Sequence, residues 1–168
     1  MGFTYRNLAR YRSTDDPGNV WLTPPEILEP VRGVLGGFDL DPCTEASNPT
    51  RAKRFYSLPK DGLQLPWDAQ SIWVNPPYGE LKNLWIDRCI QAAQDGSKVV
   101  LLIPAATETR PFQHAASHAF SVCIIESRIR YRRPCGKDER ATHGSALLGY
   151  NVNLSPLRHL GRVFTVVA

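Results

Sequence analysis

No run of apolar residues in this chain is long enough to cross a bilayer, and Met1-Gly2-Phe3-Thr4-Tyr5-Arg6 lacks the apolar stretch of a secretion signal. A soluble, cytoplasmic protein with no membrane partner is the expectation. The four cysteines, Cys43, Cys89, Cys123 and Cys135, show neither a CxxC pair nor a Cys/His ligand spacing. That pattern excludes the common zinc sites and disulfide frameworks. They are read as reduced thiols, with Cys43 a candidate to line a pocket. Internal repeats and low-complexity segments are also missing. With 168 residues and 42% hydrophobic content, the length suits one compact domain with a sizeable core.

What is present is unevenly placed. Residues 1–19 are polar, with Arg6, Arg10 and Arg12 interleaved with Tyr5 and Tyr11, and end in the turn-like Asp15-Asp16-Pro17-Gly18. They read as a basic N-terminal arm, leaving 20–168 as the compact domain. The formal charge is +4, and the segment Arg128 to Arg140 alone carries that excess, with Arg128, Arg130, Arg132, Arg133, Lys137 and Arg140 against Asp138 and Glu139. A charge run is most often a solvated loop. Here Tyr131 and Pro134 stand among the arginines, which favours a basic loop around 128–145 that contacts phosphates and positions DNA without reading its sequence.

Thr23-Pro24-Pro25-Glu26 predicts a helix start: threonine caps, proline suits the first position, and glutamate three residues on completes a capping box. Ile27, Leu28, Val31, Val34 and Leu35 supply its apolar face, and Gly36-Gly37 stops it. Phe38-Asp39-Leu40 reads as a short strand running into Asp41-Pro42-Cys43, and 44–70 as irregular chain. Ser71-Ile72-Trp73-Val74 is a strand, followed by a helix from about Glu80 to Asp95 with Leu81, Leu84, Trp85, Cys89 and Ala92 on one side. The run Val99 to Ile103 has the continuous apolar character of a strand buried on both faces.

A helix from Arg110 to His118 and a strand from Phe120 to Ile125 follow. Ile129-Arg130-Tyr131 and Ala146 to Tyr150 are expected to pair as a C-terminal antiparallel hairpin flanking the basic loop, and Arg162 to Val167 adds a strand. Helices alternating with wholly apolar strands predict an α/β fold with a mainly parallel central sheet.

The most informative residues are Asn75-Pro76-Pro77-Tyr78. Pro-Pro can simply end a strand, but that explains the prolines alone. An amide and an aromatic ring flank them at the carboxyl end of a buried strand, where open α/β sheets keep their ligand crevices. The combination suits gripping a planar amine and points to methylation of an exocyclic amino nitrogen.

Taken in order, Trp21-Leu22-Thr23-Pro24-Pro25-Glu26, Phe38-Asp39-Leu40-Asp41-Pro42-Cys43, Asp61-Gly62-Leu63 with Trp67, and Asn75-Pro76-Pro77-Tyr78 resemble the phage DNA N6-adenine methyltransferase (Dam-like) family over most of the chain. The resemblance implies a Rossmann-like, S-adenosylmethionine-dependent sheet and site-specific methyl transfer to adenine N6 in DNA. It makes Asn75, Pro76, Pro77 and Tyr78 catalytic. The Asn75 side-chain oxygen and the Pro76 carbonyl would hold both N–H bonds of the amine, as fixed acceptors aimed at developing positive charge. Tyr78 would stack on an adenine flipped from the duplex, worth roughly 1–3 kcal/mol per base. No metal is implied, because a sulfonium is already an activated leaving group.

On the donor side, Asp41 would meet the methionine ammonium, with Pro42 and Cys43 beside it; an ordinary turn aspartate before proline is the plain alternative. The resemblance sets Thr23 and Pro24 against the methionine part of the donor, Asp61 on its adenine amino group and Leu63 along its ring. Where many methyltransferases have a glycine-rich loop, this chain has Thr44-Glu45-Ala46-Ser47. Glu45 is the candidate for the ribose hydroxyls.

Other planar amines remain open: cytosine N4 in DNA, guanine N2 in ribosomal RNA and glutamine in proteins. A catalytically silent DNA-binding protein of the same fold is a further alternative. Asn75 in the first position of the tetrapeptide, the Thr-Pro-Pro-Glu segment and the basic loop favour adenine in double-stranded DNA. His143-Gly144-Ser145 lies just beyond that loop and is a candidate to approach the flipped base, although a lone histidine there is more often structural. Neither the recognition sequence nor the oligomeric state has a signature in the chain.

Overall fold

The computed structural model describes residues 21–77, 79, 81–132 and 137–166. The expectations for the arm at 1–19, for Tyr78, for Arg133 and Pro134, and for Val167 lie outside the described residues.

Helix α1 spans Pro25–Leu35 and buries Ile27, Leu28, Val31 and Leu35, one stripe at helical spacing. Gly36, at φ 74°, takes the left-handed conformation, and the Gly37 N–H reaches the Arg32 carbonyl at 2.9 Å, closing the last turn. The expected capping box does not form: Pro24 is the extended residue before the helix and no side chain caps it. Pro24 and Pro25 carry no N–H, so a hydroxyl at 23 finds little to cap. Thr23 faces the neighbouring strand instead.

The strands are β1 Leu40–Asp41, β2 Arg54–Phe55, β3 Ser71–Val74, β4 Lys98–Pro104, β5 Ser121–Ile125, β6 Arg130–Arg132, β7 Asp138–Arg140, β8 Ser145–Tyr150 and β9 Gly161–Thr165. The other helices are α2 Lys82–Gln94 and α3 Arg110–Ser117. Seven strands form one sheet in the order β2-β1-β3-β4-β8-β5-β9. The first four pair in parallel, while β8 runs antiparallel between β4 and β5, and β9 pairs antiparallel along the outer side of β5. Strand β5 therefore points with β1 to β4, which makes the sheet mostly parallel. Among the described residues no helix is long and apolar enough to cross a membrane.

Alternation along β3 and β4 divides the core. Ile72, Val74, Val99, Leu101 and Ile103 pack toward α2 and α3, whereas Trp73, Val100 and Leu102 pack toward α1. Trp73 stacks on Phe38 with ring centroids 5.8 Å apart. Helices thus cover both faces, and the loops leaving β1 and β3 are free to form a crevice at the carboxyl edge.

Four further sequence expectations change. Residues 54 and 55 of the supposedly irregular stretch form the edge strand β2, held by its register to β1; two residues are too short to show a period. The strand expected at Phe38–Leu40 is instead Leu40–Asp41, so Asp41 itself ends β1. Leu84 is 43% exposed, because α2 turns Trp85, Ile86, Cys89, Ile90 and Ala92 inward. Finally, Ile129–Tyr131 does not pair with Ala146–Tyr150. Every residue of β8 is buried, which suits a central strand, and β6 pairs with β7 as a separate antiparallel hairpin inside the basic segment.

Candidate active site

Leu40 of β1 lies in register with Ile72 of β3, so the residues that leave these strands, Asp41-Pro42-Cys43 and Asn75-Pro76-Pro77, face one another across a cleft. The Cys43 thiol donates to the Asn75 carbonyl at 3.3 Å and ties the two loops. Burial, then the nearby Asp41 charge, pushes that thiol well above its ordinary range, so it stays protonated and able to donate. Of the residues expected to hold the donor or the base, Thr23, Asp41, Cys43, Glu45, Asn75, Pro76 and Pro77 line this cleft together. Trp21, Leu22, Thr44, Pro49, Thr50 and Trp73 also line it and had no site role assigned from the sequence. Pro24 is half-buried at the helix start and Pro42 is buried behind the loop.

Asp41 is 2% exposed. Its Oδ1 accepts from the Cys43 N–H at 3.1 Å and its Oδ2 from the Thr50 hydroxyl at 2.7 Å. Burial dominates these contacts and raises its pKa from the ordinary 3.8 to about 6. No cationic side chain is among the causes of that shift. A buried carboxylate on a cleft wall is a ready partner for a small cation, which would supply the missing countercharge.

Asn75 is oriented by chemistry rather than by chance. Its Nδ2 donates to the Trp21 carbonyl and to Thr23 Oγ1, both at 3.0 Å. Its Oδ1 is buried with no hydrogen-bond partner. Among the described residues Arg54, Trp85 and Arg88 also have such an atom, but only Asn75 lines this cleft. A buried amide oxygen left unpaired costs about 1–3 kcal/mol, a cost that a ligand N–H would relieve.

Asp61 and Leu63 sit beside this cleft without lining it. Asp61 closes its own turn, accepting from the Leu63 N–H at 3.0 Å and from Gln64 Nε2 at 2.8 Å. Leu63 packs against the core. Between them Gly62 meets the Asp41-Pro42-Cys43 loop so closely that an added Cβ would stand 1.8 Å from the Pro42 carbonyl oxygen. The Gly62 carbonyl accepts from the Trp67 indole at 2.8 Å, anchoring the turn. Gly62→Ala is therefore expected to destabilise the protein by about 1–3 kcal/mol, read as a lower midpoint in denaturant unfolding. An unchanged midpoint would mean that the two loops yield freely.

A second, more apolar cleft opens on the far side of Pro76 and Pro77. Its walls include Phe112, Ile103, Pro104 and the segment Thr142-His143-Gly144-Ser145. Trp21, Pro76 and Pro77 line both clefts, so the prolines form the partition between a polar chamber and an apolar one.

In the basic segment Arg128, Arg130, Arg132, Lys137 and Arg140 are exposed. Tyr131, expected to contact DNA with them, is fully buried, its ring edge-on to Trp21 with centroids 5.5 Å apart. Strand alternation turns it inward while its arginine neighbours turn out. Arg132 lies 3.8 Å from Asp138 in an exposed pair. Arg130 stands opposite Arg140 in the register, a like-charged juxtaposition that is unfavourable without an anion.

Residues 12–152 match the family described as DNA N-6-adenine-methyltransferase (Dam). A curated relative, the DNA N-6-adenine-methyltransferase of Escherichia phage T1, is 29% identical over 124 residues, which cover 71% of this chain and 51% of the relative. The chain thus spans about half the length of that relative. With the match running from the residues before α1 to the turn after β8, the chain belongs to the DNA N-6-adenine-methyltransferase (Dam) family.

Proposed function

We propose that this protein is a site-specific methyltransferase that moves a methyl group from S-adenosylmethionine to the N6 amine of adenine in double-stranded DNA. The observation that carries the reading is the buried, unpartnered Oδ1 of Asn75, placed beside the partition between the two clefts. The mostly parallel sheet, with helices on both faces and a crevice at the carboxyl ends of β1 and β3, is read as Rossmann-like, and 20–168 as one domain.

The polar cleft suits the donor. Asp41 would bind the methionine ammonium, and Glu45 is assigned to the ribose hydroxyls. S-adenosylmethionine supplies a methyl group on a sulfonium, whose leaving group is a neutral thioether. Asn75 Oδ1 and the Pro76 carbonyl would accept the two N–H bonds of the amine, turning its lone pair toward the methyl carbon. Nitrogen gains positive charge as the bond forms, and both acceptors stabilise that charge before the proton leaves to water. The apolar cleft suits a flipped base, and Tyr78, next to Pro77 in sequence, is assigned to stack on it.

The exposed arginines of β6 and β7 would bracket a backbone phosphate, relieving the repulsion between Arg130 and Arg140. The double variant Arg130→Glu/Arg140→Glu is expected to bind DNA more weakly and to lower the slope of log affinity against log salt by about 1, at about 0.9 per phosphate contact. An unchanged slope would leave the hairpin as mere surface. The enzyme reading itself is tested by calorimetry. S-adenosylmethionine should bind within the micromolar to about 1 mM range usual for enzyme substrates; no heat in that range, with DNA binding retained, would favour a silent DNA-binding protein.

A further inference from the structure

Trp21 and Thr23 hold the Asn75 amide although 54 and 52 residues separate them from it in sequence. A carboxamide fits a site in two ways, with oxygen and nitrogen exchanged, and only its partners decide between them. The Trp21 carbonyl has no hydrogen to give, so the group 3.0 Å from it must be the NH2. Thr23 Oγ1, on a residue 9% exposed, receives the other amide hydrogen at 3.0 Å. With both hydrogens engaged, the oxygen is left as the atom without a partner.

The acceptors are themselves fixed. Leu22, between them, exchanges both backbone hydrogen bonds with Arg132 of β6, at 3.0 and 3.1 Å. The Trp21 ring is edge-on to the buried Tyr131. Segment 21–23 is thus held between Asn75 and the hairpin β6–β7.

We propose that Thr23 is a positioning residue: with the Trp21 carbonyl it locks the Asn75 carboxamide so that its oxygen, not its nitrogen, meets the amine being methylated, and the hairpin braces that lock. The proposal rests on the adenine-methylation reading and moves Thr23 from the donor side, where the family resemblance sets it, to the acceptor side.

The test compares Thr23→Val, which removes the hydroxyl, with Thr23→Ser, which keeps it. Three quantities are read: kcat on DNA, the S-adenosylmethionine Kd without DNA, and the 15N–1H signals of the Asn75 side-chain amide. Thr23→Val should lower kcat about ten- to a hundredfold, as small misplacements of a reacting group do. Its donor Kd should match wild type, and the Asn75 amide signals should shift. Thr23→Ser should restore both rate and signals. Should Thr23→Val not fold, Thr23→Ala carries the same comparison.

Weakened donor binding with kcat retained would return Thr23 to the donor and overturn the proposal. So would unchanged kcat and unchanged amide signals. If wild type leaves adenine unmethylated while the signals still depend on Thr23, the reaction assigned above falls and the lock stands.

Discussion

Asn75→Ala is expected to lower kcat by roughly a hundred- to a thousandfold, the usual effect of removing one preorganised group aimed at transition-state charge. The donor Kd should stay near its wild-type value, because under the proposed function the cation is assigned to Asp41 and not to Asn75. The split follows from geometry: Oδ1 of Asn75 is buried and unpaired, so it contributes only when an N–H arrives. Losing kcat and donor binding equally would mean that the variant had collapsed the polar cleft. That outcome is a real alternative to exclude, because the Asn75 amide also joins β3 to the segment before α1. A thermal melt of the variant separates the two.

The second large effect is expected at Asp41. Asp41→Asn should weaken S-adenosylmethionine by about 2–5 kcal/mol, the usual loss when one partner of a buried charge pair is truncated. In wild type, where burial lifts the carboxyl to about 6, donor affinity should rise about tenfold per pH unit below that value and level off above it. The variant should show no such rise. Without donor the sign reverses. The folded protein holds this proton more tightly than the unfolded chain, so its relative stabilisation is complete below about pH 4 and is lost as pH climbs through about 6, by up to about 3 kcal/mol. Melts across that window should fall for wild type and stay flatter for Asp41→Asn. A wild-type donor affinity independent of pH would place the ammonium elsewhere.

The frame of the fold was legible because its signals are local. The stripe Ile27, Leu28, Val31 and Leu35 and the run Val99 to Ile103 each announce an element by period or by continuous apolarity. The order of strands was not legible where it depends on distant partners. Nothing within Ser145–Tyr150 says that it enters the sheet between β4 and β5, since its burial comes from both neighbours. The basic segment shows the same limit: its charge was plain, but strand alternation, not composition, decides that Tyr131 is core.

Within the site, Asp41, Cys43, Asn75 and the prolines stood out because polar groups at strand ends are conspicuous. Thr50, which donates to Asp41, and the Thr23–Asn75 contact did not, because each joins residues whose neighbours in sequence give no hint of the other. Asp61 closes its own turn, and an aspartate that does so looks the same in sequence as one that binds a ligand.

Incubation with methyl-labelled S-adenosylmethionine and mixed duplex DNA, followed by digestion and identification of the labelled nucleoside by mass, tests the central claim most directly. The expected product is N6-methyladenine, formed by wild type and lost in Asn75→Ala. Label in N4-methylcytosine, or none in any nucleoside from a protein that binds the donor, would contradict it.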